Sequence, residues 1–430
     1  MRKLFIMQGA PATGKSRMLK MLGAYYHDLV VSRDELRDIF SPGVHALDGE
    51  VRYATNAVER MITSAFDDIV ENRLRMGSTV FLDGTYPNKK SQGAVVEMAK
   101  KHGYDCYLVN MQKVVSLEDA IVYDSGRNAK QRVGENVISM FYERVNSSPN
   151  HPDLVEVDMG DSFQTAFVNI EKLLRRTVEQ RKLDVSSYDN VVVLGDIHSC
   201  SDKLERALID NGGLDNKSNL YVFVGDLFDR GFDPVGVYDV VSGDRDNVVL
   251  LEGNHEKNLR EIVNSVNLLP YRSTQETVDK LKAAGVSNRE LKAFSRRLLP
   301  WVSFVAGGKH FFVSHGGVTQ DVITSHLLAA DGTGMCVSDR EFIYGTSHRG
   351  KAYRGFTTYD NVDEFFSGDG SSERTPIQIH GHRNTARGEE RVAIDATPGV
   401  YNLEQGVEDD GYLAVAAIDV ATGDVACHNY

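Results

Sequence analysis

Val222-Phe223-Val224-Gly225-Asp226-Leu227-Phe228-Asp229-Arg230 is an apolar run that ends abruptly in two aspartates and an arginine. The run predicts a buried strand, and the charged residues that follow are predicted to lie at the rim of a sheet. Folding alone gives no reason to place Asp226, Asp229 and Arg230 there. The stretch therefore predicts a site at the end of a strand.

Four further apolar runs end in glycine together with residue types that bind metals. Mixed oxygen and imidazole donors suit Mn, Fe, Zn, Ni or Co better than Mg alone, and a shared aspartate allows two ions about 3.5–4 Å apart. His380 lies on the same strand face as His382 and stays an alternative ligand. The motifs are Gly195-Asp196-Ile197-His198 after Val191–Leu194, Gly253-Asn254-His255-Glu256 after Asn247–Leu251, His315-Gly316-Gly317 after Phe311–Ser314, and His380-Gly381-His382 after Pro376–Ile379. With the opening stretch they supply six candidate ligands: Asp196, His198, Asp226, Asn254, His315 and His382.

The series GDxH, GDxxDR, GNHE, HGG and GH resembles the binuclear metallophosphoesterase superfamily, close to its phosphoprotein-phosphatase-like branch, over roughly residues 190–400. The resemblance implies an α/β metallophosphoesterase domain with a calcineurin-like β-sandwich. It also implies that His255 protonates the leaving oxygen, that Asp229 orients His255, and that Arg230 binds the phosphate. The implied ligands are Asp196, His198 and Asp226 on one divalent transition metal, and Asp226, Asn254, His315 and His382 on the other.

Two positions depart from that pattern. Ser199 stands where the branch usually has glycine, and the segment that begins with Arg383 lacks the second histidine of GHxH relatives. The second departure removes one ligand and leaves the first metal more open. A further phosphate clamp is expected among the arginines before His382, with Arg340 or Arg354 preferred, although a solvated surface arginine is the simpler interpretation of each.

A different signal dominates the first half of the chain. Gly9-Ala10-Pro11-Ala12-Thr13-Gly14-Lys15-Ser16 fits GxxxxGK[ST] in full, between an apolar strand and the start of a helix. Gly9 and Gly14 let backbone N–H groups curl around phosphate oxygens, while Lys15 reaches the β- and γ-phosphates and Ser16 holds Mg²⁺. The motif predicts a P-loop NTPase-type parallel sheet that binds ATP or another nucleoside triphosphate with Mg²⁺.

The acceptor of the phosphoryl group is indicated by the residues that follow. Arg33-Asp34-Glu35-Leu36-Arg37 comes directly after a second strand, where a carboxylate beside arginines suits a general base for a hydroxyl. An ordinary acidic helix start is the alternative. A third strand ends in Asp83-Gly84-Thr85, and the basic loop Arg127–Gly134 is placed to close over a triphosphate.

Together these motifs resemble the 5′-OH polynucleotide kinase family over about the first 150 residues. The resemblance implies that Asp34 deprotonates the 5′-hydroxyl, that Arg37 grips the acceptor phosphate, and that Arg132 is the lid arginine on the donor. Arg127 of the same lid is expected to bind the nucleotide. Small-molecule kinases with similar cores stay open.

Length and composition limit the number of domains and the cellular setting that can be expected. A chain of 430 residues predicts two domains, here residues 1–182 and 191–430 with a linker at 183–190. The N-terminus lacks a signal peptide pattern, no apolar run approaches the roughly 20 residues of a membrane helix, and the four cysteines form no CxxC pair. A cytoplasmic protein without membrane contact is expected.

Charge is unevenly shared between the halves. Residues 1–182 hold 25 Lys+Arg and 24 Asp+Glu. The whole chain has 48 and 61, so residues 183–430 hold 23 Lys+Arg and 37 Asp+Glu. Because phosphate binding normally relies on Lys and Arg, nucleic acid is expected to be gripped locally at its end rather than along a basic face.

Taken together, the two halves make chemical sense if both act on the ends of a break in RNA or DNA. One half adds a 5′-phosphate, and the other removes a 3′-phosphate or a 2′,3′-cyclic phosphate. This order resembles the bacterial polynucleotide kinase-phosphatase of RNA repair but lacks its ligase domain, so a separate ligase is expected. A small-molecule kinase fused to a diadenosine-tetraphosphatase-like or protein phosphatase is the alternative. A regulatory protein with a silent site and a homo-oligomer also stay open.

Overall fold

The computed structural model describes residues 2–24, 28–40, 44–45, 51–52, 56–127, 132–266, 271–320, 322–323, 338–346, 366–382, 394–395, 397–409 and 411–430. Their contacts divide the chain into two compact units, Met1–Arg176 and Thr177–Tyr430. Among the helices in these ranges, none is both long and apolar enough to span a membrane.

The first unit alternates strands and helices. Its strands are β1 (Lys3–Gln8), β2 (Val30–Ser32), β3 (Val44–His45), β4 (Val51–Arg52), β5 (Val80–Asp83), β6 (Asp105–Asn110) and β7 (Val155–Glu156). Its helices are α1 (Lys15–Met21), α2 (Arg33–Phe40), α3 (Asn56–Met76), α4 (Lys89–Lys101), α5 (Leu117–Ser125), α6 (Glu135–Ser147) and α7 (Phe163–Glu179), with a 3₁₀ turn at Met111–Lys113.

Five strands of this unit form one parallel sheet in the order β2-β5-β1-β6-β7. Central strand β1 is buried along its whole length, as its unbroken apolar run predicts for a strand covered on both faces. The carboxyl ends of β1, β2 and β5 lie at one edge, which brings the P-loop, Arg33-Asp34 and Asp83 together. The predicted parallel kinase-type sheet is confirmed.

Helix α7 has apolar residues along one face. Ala166, Ile170 and Leu174 recur at helical intervals and are buried. Its neighbour Leu173 accepts a hydrogen bond at its carbonyl from Lys3 Nζ, at 2.6 Å. The helix therefore packs on the sheet of the first unit.

The second unit contains the remaining elements. Its strands are β8 (Lys182–Leu183), β9 (Asn190–Leu194), β10 (Asn219–Phe223), β11 (Val248–Leu250), β12 (Trp301–Ala306), β13 (Lys309–Ser314), β14 (Ile377–His380), β15 (Val400–Asn402), β16 (Ala414–Asp419) and β17 (Val425–Asn429). Its helices are α8 (Ser201–Asp210), α9 (Pro234–Val241), α10 (Asn254–Val263), α11 (Arg272–Ala283), α12 (Asn288–Arg297) and α13 (Asp339–Tyr344).

These strands form two mixed sheets, β11-β10-β9-β16-β17 and β15-β14-β13-β12-β8. Along β10 the side chains alternate, so that Val222 faces a core shared with the second sheet while Tyr221 and Phe223 face α8–α12. The result is a sandwich of two sheets with a helical layer on the outer face of the first. The predicted calcineurin-like sandwich is confirmed.

Two details differ in position from the sequence-based expectations. The division between the units falls at Arg176, before the predicted boundary at residue 182, and Leu183 of the predicted linker pairs with Phe304 in β12. Apolar Leu183 and Val185 are drawn into this sheet's core, which a linker assignment from composition does not reveal.

Candidate active sites

The phosphate-binding loop of the first unit runs from β1 into α1. Gly14 precedes the helix with φ 84°, a left-handed conformation that glycine adopts without a steric penalty. Lys15 Nζ donates to the carbonyls of Gly9 and Ala10 at 2.9 and 2.8 Å. Burial lowers the pKa of Lys15 to about 8; Asp83 and Asp34 oppose this change and Arg127 adds to it.

Ser16 and Asp83 meet at the carboxyl ends of the strands. Ser16 Oγ donates to Asp83 Oδ2 at 2.7 Å. A hydroxyl and a carboxylate in contact beside a P-loop lysine are the protein oxygens that a nucleotide-bound Mg²⁺ uses. The residues present therefore fit this ion.

The expected base lies at the start of α2. Asp34 is 88% exposed and accepts a hydrogen bond from Arg37 Nη1 at 2.5 Å, while Arg37 Nε donates to Glu59 Oε1 at 2.8 Å. Because α2 begins directly after β2, Asp34 lies at the same edge of the parallel sheet as the P-loop after β1. The sequence did not single out Glu59, whose contact with Arg37 spans two helices.

The predicted lid is described only at its ends, because residues 128–131 lie outside the described ranges. Arg127 is close enough to Lys15 to lower its pKa. Arg132 Nε donates to the carbonyl of Arg127 at 2.9 Å, and its Nη2 donates to the carbonyl of Ser125. In this conformation Arg132 caps the C-terminal end of α5, and Arg127 Nη1 lies 3.5 Å from Asp124 Oδ1.

In the second unit, the polar residues after the strands adopt unusual backbone conformations. His198, Asp226 and His382 have φ values of 44°, 46° and 61°, and Asp229 and Arg230 have 69° and 60°. Such conformations cost about 1–3 kcal/mol each for residues other than glycine and cluster at functional sites. These residues lie in the loops after β9, β10 and β14.

Backbone hydrogen bonds join these two loops. His198 N donates to Asp226 O at 2.8 Å, and Gly231 N donates back to His198 O at 2.9 Å. The approach of β14 needs glycine as well, since a Cβ on Gly381 would lie 1.9 Å from Asp196 Oδ1. The strand ends that the sequence pattern selected thus meet at one place.

A first group of potential metal ligands contains Asp196, His198 and Asp226. All three are buried, and His198 Nδ1 lies 3.2 Å from the Phe228 carbonyl. Donation by Nδ1–H to that carbonyl would leave the Nε2 lone pair for a metal. Neither His198 Nε2 nor Asp196 Oδ1 has a hydrogen-bond partner in the part of the chain that the structure describes.

A second group is formed by Asp226 with Asn254, His315 and His382. His315 Nε2 lies 3.3 Å from both Asp226 Oδ1 and Asn254 Oδ1. The ligand atoms of Asp226, His315 and His382 all lie within 4.8 Å of one another. Asp226 belongs to both groups, so the arrangement fits two ions that share one carboxylate.

The alternative ligand His380 has a different environment. It is fully buried, its Nδ1 lies 2.9 Å from the Gly381 carbonyl, and a Cβ on Gly317 would lie 3.1 Å from its ring. Among the described residues, one metal-type cluster contains His382 and none contains His380. The geometry therefore favours His382.

His255 stands beside this centre. Its Nδ1 lies 2.6 Å from Asp229 Oδ2, and its Nε2 lies 3.8 Å from Asp226 Oδ2. Burial alone would lower the pKa of His255, but Asp226 and Asp229 raise it to about 9. A histidine that keeps its proton at neutral pH is suited to act as a general acid.

Several residues of this site escaped the sequence reasoning. The Asp229 carboxylate accepts hydrogen bonds from Thr274 Oγ1 at 2.5 Å and Thr277 Oγ1 at 2.6 Å. Glu256 accepts backbone N–H bonds from Asp226 at 2.7 Å and Leu227 at 2.9 Å, which ties the GNHE motif to the opening stretch. The final residue of GNHE was the available signal for Glu256, whereas the threonines carry none.

Two glutamates after β15 were also missed. Glu404 joins Asp196 and His198 in a third cluster of ligand atoms. Glu408 forms an ion pair with Arg230, the predicted phosphate ligand, which is 35% exposed at its side chain. Both glutamates lie more than 170 residues from their partners in the sequence, and no local motif indicates them.

The expected second clamp is only partly described. The Arg340 guanidinium lies 4.7 Å from the centroid of the Tyr344 ring, and that ring lies 6.0 Å from the ring of His382. Arg340 is therefore near the centre. Arg354 and Arg383 lie outside the described residues.

Comparisons with known proteins match each half of the chain to a family. Residues 190–397 match the family described as calcineurin-like phosphoesterase, and residues 4–140 match a family described as an AAA domain. The chain thus joins a kinase-like P-loop domain to a calcineurin-like metallophosphoesterase domain. The first implies a nucleotide, and the second implies divalent metals.

Similar individual proteins were found for both halves. The chain is 31% identical over 178 residues to serine/threonine-protein phosphatase 7 of Arabidopsis thaliana, a match that covers 40% of this chain and 40% of that relative's length. Similar solved structures include a protein serine/threonine phosphatase from Saccharomyces cerevisiae, at 12% identity over 60% of this chain and 89% of that chain, with a TM-score of 0.39. A proposed kinase from Chloroflexus aurantiacus is 15% identical over 42% of this chain and 97% of that chain, with a TM-score of 0.30. Structural resemblances this weak carry no functional argument.

Proposed function

We propose that the chain heals the ends of broken nucleic acid, RNA foremost. Its first half transfers the γ-phosphoryl group of ATP to a 5′-hydroxyl, and its second half removes a 3′-phosphate or opens and removes a 2′,3′-cyclic phosphate. The observation that carries this proposal is the exposure of Asp34 beside the P-loop. An acceptor hydroxyl at the end of a long polymer can reach such a carboxylate without entering an enclosed pocket.

In the kinase reaction, Asp34 takes the proton of the 5′-hydroxyl as the oxygen bonds to the γ-phosphorus and the bond to the β-phosphate oxygen breaks. Lys15 holds the donor phosphates, and Ser16 with Asp83 would hold Mg²⁺. Arg37, fixed by Glu59, binds the acceptor phosphate. Arg127 and Arg132 bind the donor from the lid, for which Arg132 has to leave the α5 carbonyls that it now contacts.

In the phosphatase reaction, Asp196, His198 and Asp226 would hold one divalent ion. Asp226, Asn254, His315 and His382 would hold the other. When bound, two such ions supply an activated water and neutralise charge on the phosphoryl oxygens. Arg230 binds the phosphate, and His255 donates its proton to the ribose oxygen as the phosphorus–oxygen bond breaks. Asp229 holds His255 in position for that transfer. The resulting 5′-phosphate and 3′-hydroxyl are the substrates of a separate ligase.

The test offers the purified chain four substrates side by side, with Mn²⁺ or Ni²⁺ present. These are 5′-OH RNA with labelled ATP, RNA ending in 3′-phosphate or 2′,3′-cyclic phosphate, diadenosine tetraphosphate, and a phosphopeptide; matching DNA oligonucleotides report the preference for RNA. Lys15→Ala is expected to abolish 5′ labelling and to spare 3′-phosphate release, and Asp226→Ala to do the reverse. Wild-type protein that hydrolyses diadenosine tetraphosphate or the phosphopeptide, yet modifies neither RNA end, would contradict the proposal.

A further inference from the structure

The segment Leu403–Asp409, which follows β15, enters the metal-type centre from the second sheet. Leu403 N donates to the carbonyl of His380 at 2.7 Å, and a Cβ on Gly195 would lie 2.4 Å from the Leu403 carbonyl. Because Leu403 and Gly195 approach so closely, the residues that follow them, Glu404 and Asp196, lie side by side. The position of Glu404 is thus set by the same glycine that precedes the first predicted ligand.

The Glu404 side chain is buried and held in one orientation. Only 7% of the residue is exposed. Its backbone N–H donates to Asn402 Oδ1 at 3.1 Å, and its Oε1 accepts from Gly406 N at 2.8 Å. Asp196 and His198 supply the ligand-type atoms nearest to this carboxylate in the same cluster.

One ligand atom from each of Asp196, His198 and Glu404 lies within 4.8 Å of the others. Two carboxylates and one imidazole at this spacing form a donor set that a divalent cation can bind. Asp196 Oδ1 and His198 Nε2 are buried and have no hydrogen-bond partner among the described residues. Both atoms border the same space. A cation satisfies all of these groups at once.

We propose that Glu404 is a ligand of the first metal ion, beside Asp196, His198 and the shared Asp226. The inference rests on the two-metal centre proposed above and adds to it a residue that no motif indicates. Three carboxylates and one imidazole form a harder donor set than Asn254, His315 and His382 provide with Asp226 at the second ion. Oxygen-rich sites suit Mn²⁺ and similar ions, so the first position is expected to prefer Mn²⁺ over Zn²⁺.

The test measures metal binding directly in the full chain. Protein stripped with chelator and reloaded with Mn²⁺ without nucleotide is expected to bind two ions, by elemental analysis and titration calorimetry, with a spin-coupled Mn–Mn signal in electron paramagnetic resonance. Glu404→Gln is expected to lower the Mn²⁺ affinity of one site by at least about 10-fold, because even changes outside the ligand shell lower metal affinity by about 10–100-fold. The spin-coupled signal should also be lost. Glu373→Gln, a change at an exposed glutamate that pairs with Lys182, is expected to keep both ions.

Glu404→Gln protein that binds two ions with wild-type affinity would overturn the assignment. Wild-type protein that binds no Mn²⁺ would overturn the two-metal centre itself, which separates the two failures. A second measurement needs no variant and so does not depend on its folding. A crystal structure of the wild-type protein with Mn²⁺ is expected to show a Glu404 oxygen about 2.0–2.6 Å from an ion. An ion bound by Asp196 while Glu404 stays outside that distance would refute the proposal.

Discussion

His255 Nδ1 lies 2.6 Å from Asp229 Oδ2, and the same carboxylate oxygen accepts the Thr274 hydroxyl at 2.5 Å. Thr277 binds the other oxygen at 2.6 Å. Asp229 is buried, and the hydrogen bonds together with His255 lower its pKa although burial opposes this. An ionised aspartate fixed on both sides holds the imidazole in one orientation, with Nε2 toward Asp226 and the space where the proposed ions would lie.

A variant of this pair should therefore act through proton donation. Asp229→Asn is expected to lower kcat by about 100-fold for a nucleoside 3′-phosphate, whose ribose oxygen needs a proton to leave. The loss should be much smaller for p-nitrophenyl phosphate, because its leaving group is stable as an anion. Steady-state kinetics on both substrates check this difference. His428→Gln, a change at an exposed histidine of β17, is the control, and an equal loss on both substrates would instead indicate a damaged metal centre.

The sequence predicted the strand ends but not the residues that support them. Apolar runs that end at glycine and an acidic or imidazole residue are local patterns. Asp196, Asp226 and His315 could therefore be singled out as candidates from their positions at the ends of such runs. Thr274 and Thr277 lie 45 and 48 residues from Asp229 and sit in an ordinary amphipathic helix. Their contact depends on how α11 packs, and no spacing in the sequence encodes that.

The same limit applies to the kinase-like unit. Gly9, Lys15 and Ser16 were identified because the P-loop is one continuous segment, and Asp83 because it ends a neighbouring strand. The contact of Arg37 with Glu59 depends on the packing of α2 against α3 and was not predicted. For Arg132, sequence gives the residue type, but the observed hydrogen bonds to the Arg127 and Ser125 carbonyls depend on the loop's conformation.

The ion pair between Arg230 and Glu408 predicts a competition with substrate. A phosphate that binds Arg230 has to displace or share Glu408, whose side chain is only 9% exposed. Glu408→Gln is expected to lower KM for a 3′-phosphate by about 2- to 5-fold, as fits an ion pair partly screened by solvent, and to change kcat little. Initial-rate measurements over a range of substrate concentrations test this, with Glu373→Gln, an exposed glutamate paired with Lys182, as the control. A rise in KM would show that Glu408 instead holds Arg230 in its binding position.

The contact between Ser16 and Asp83 predicts a shared role in binding Mg²⁺. Ser16→Ala and Asp83→Asn are each expected to raise the Mg²⁺ concentration for half-maximal kinase activity by about 10-fold. Because the two residues touch, the double variant should show less than the product of the single effects. Asp105→Asn changes the first residue of β6, at the opposite end of the sheet, and should leave the Mg²⁺ requirement unchanged. Fully multiplicative effects would mean that the residues act independently.

Trp301 gives the second unit its own spectroscopic signal. It is the one tryptophan of the sequence, it is 2% exposed, and it stacks on Phe312 within the second unit. If Asp196, Asp226 and the histidines bind two ions, each Mn²⁺ should stabilise this unit by about 2.7 kcal/mol at 100 times its dissociation constant. Denaturant unfolding followed by Trp301 fluorescence should therefore shift to higher midpoint with Mn²⁺ and back with chelator. Asp226→Asn should abolish the shift, whereas Lys15→Ala should keep it, because its site lies in the other unit. A midpoint that responds equally to Mn²⁺ in wild type and Asp226→Asn would place the stabilising ions elsewhere and would contradict the assignment of these ligands.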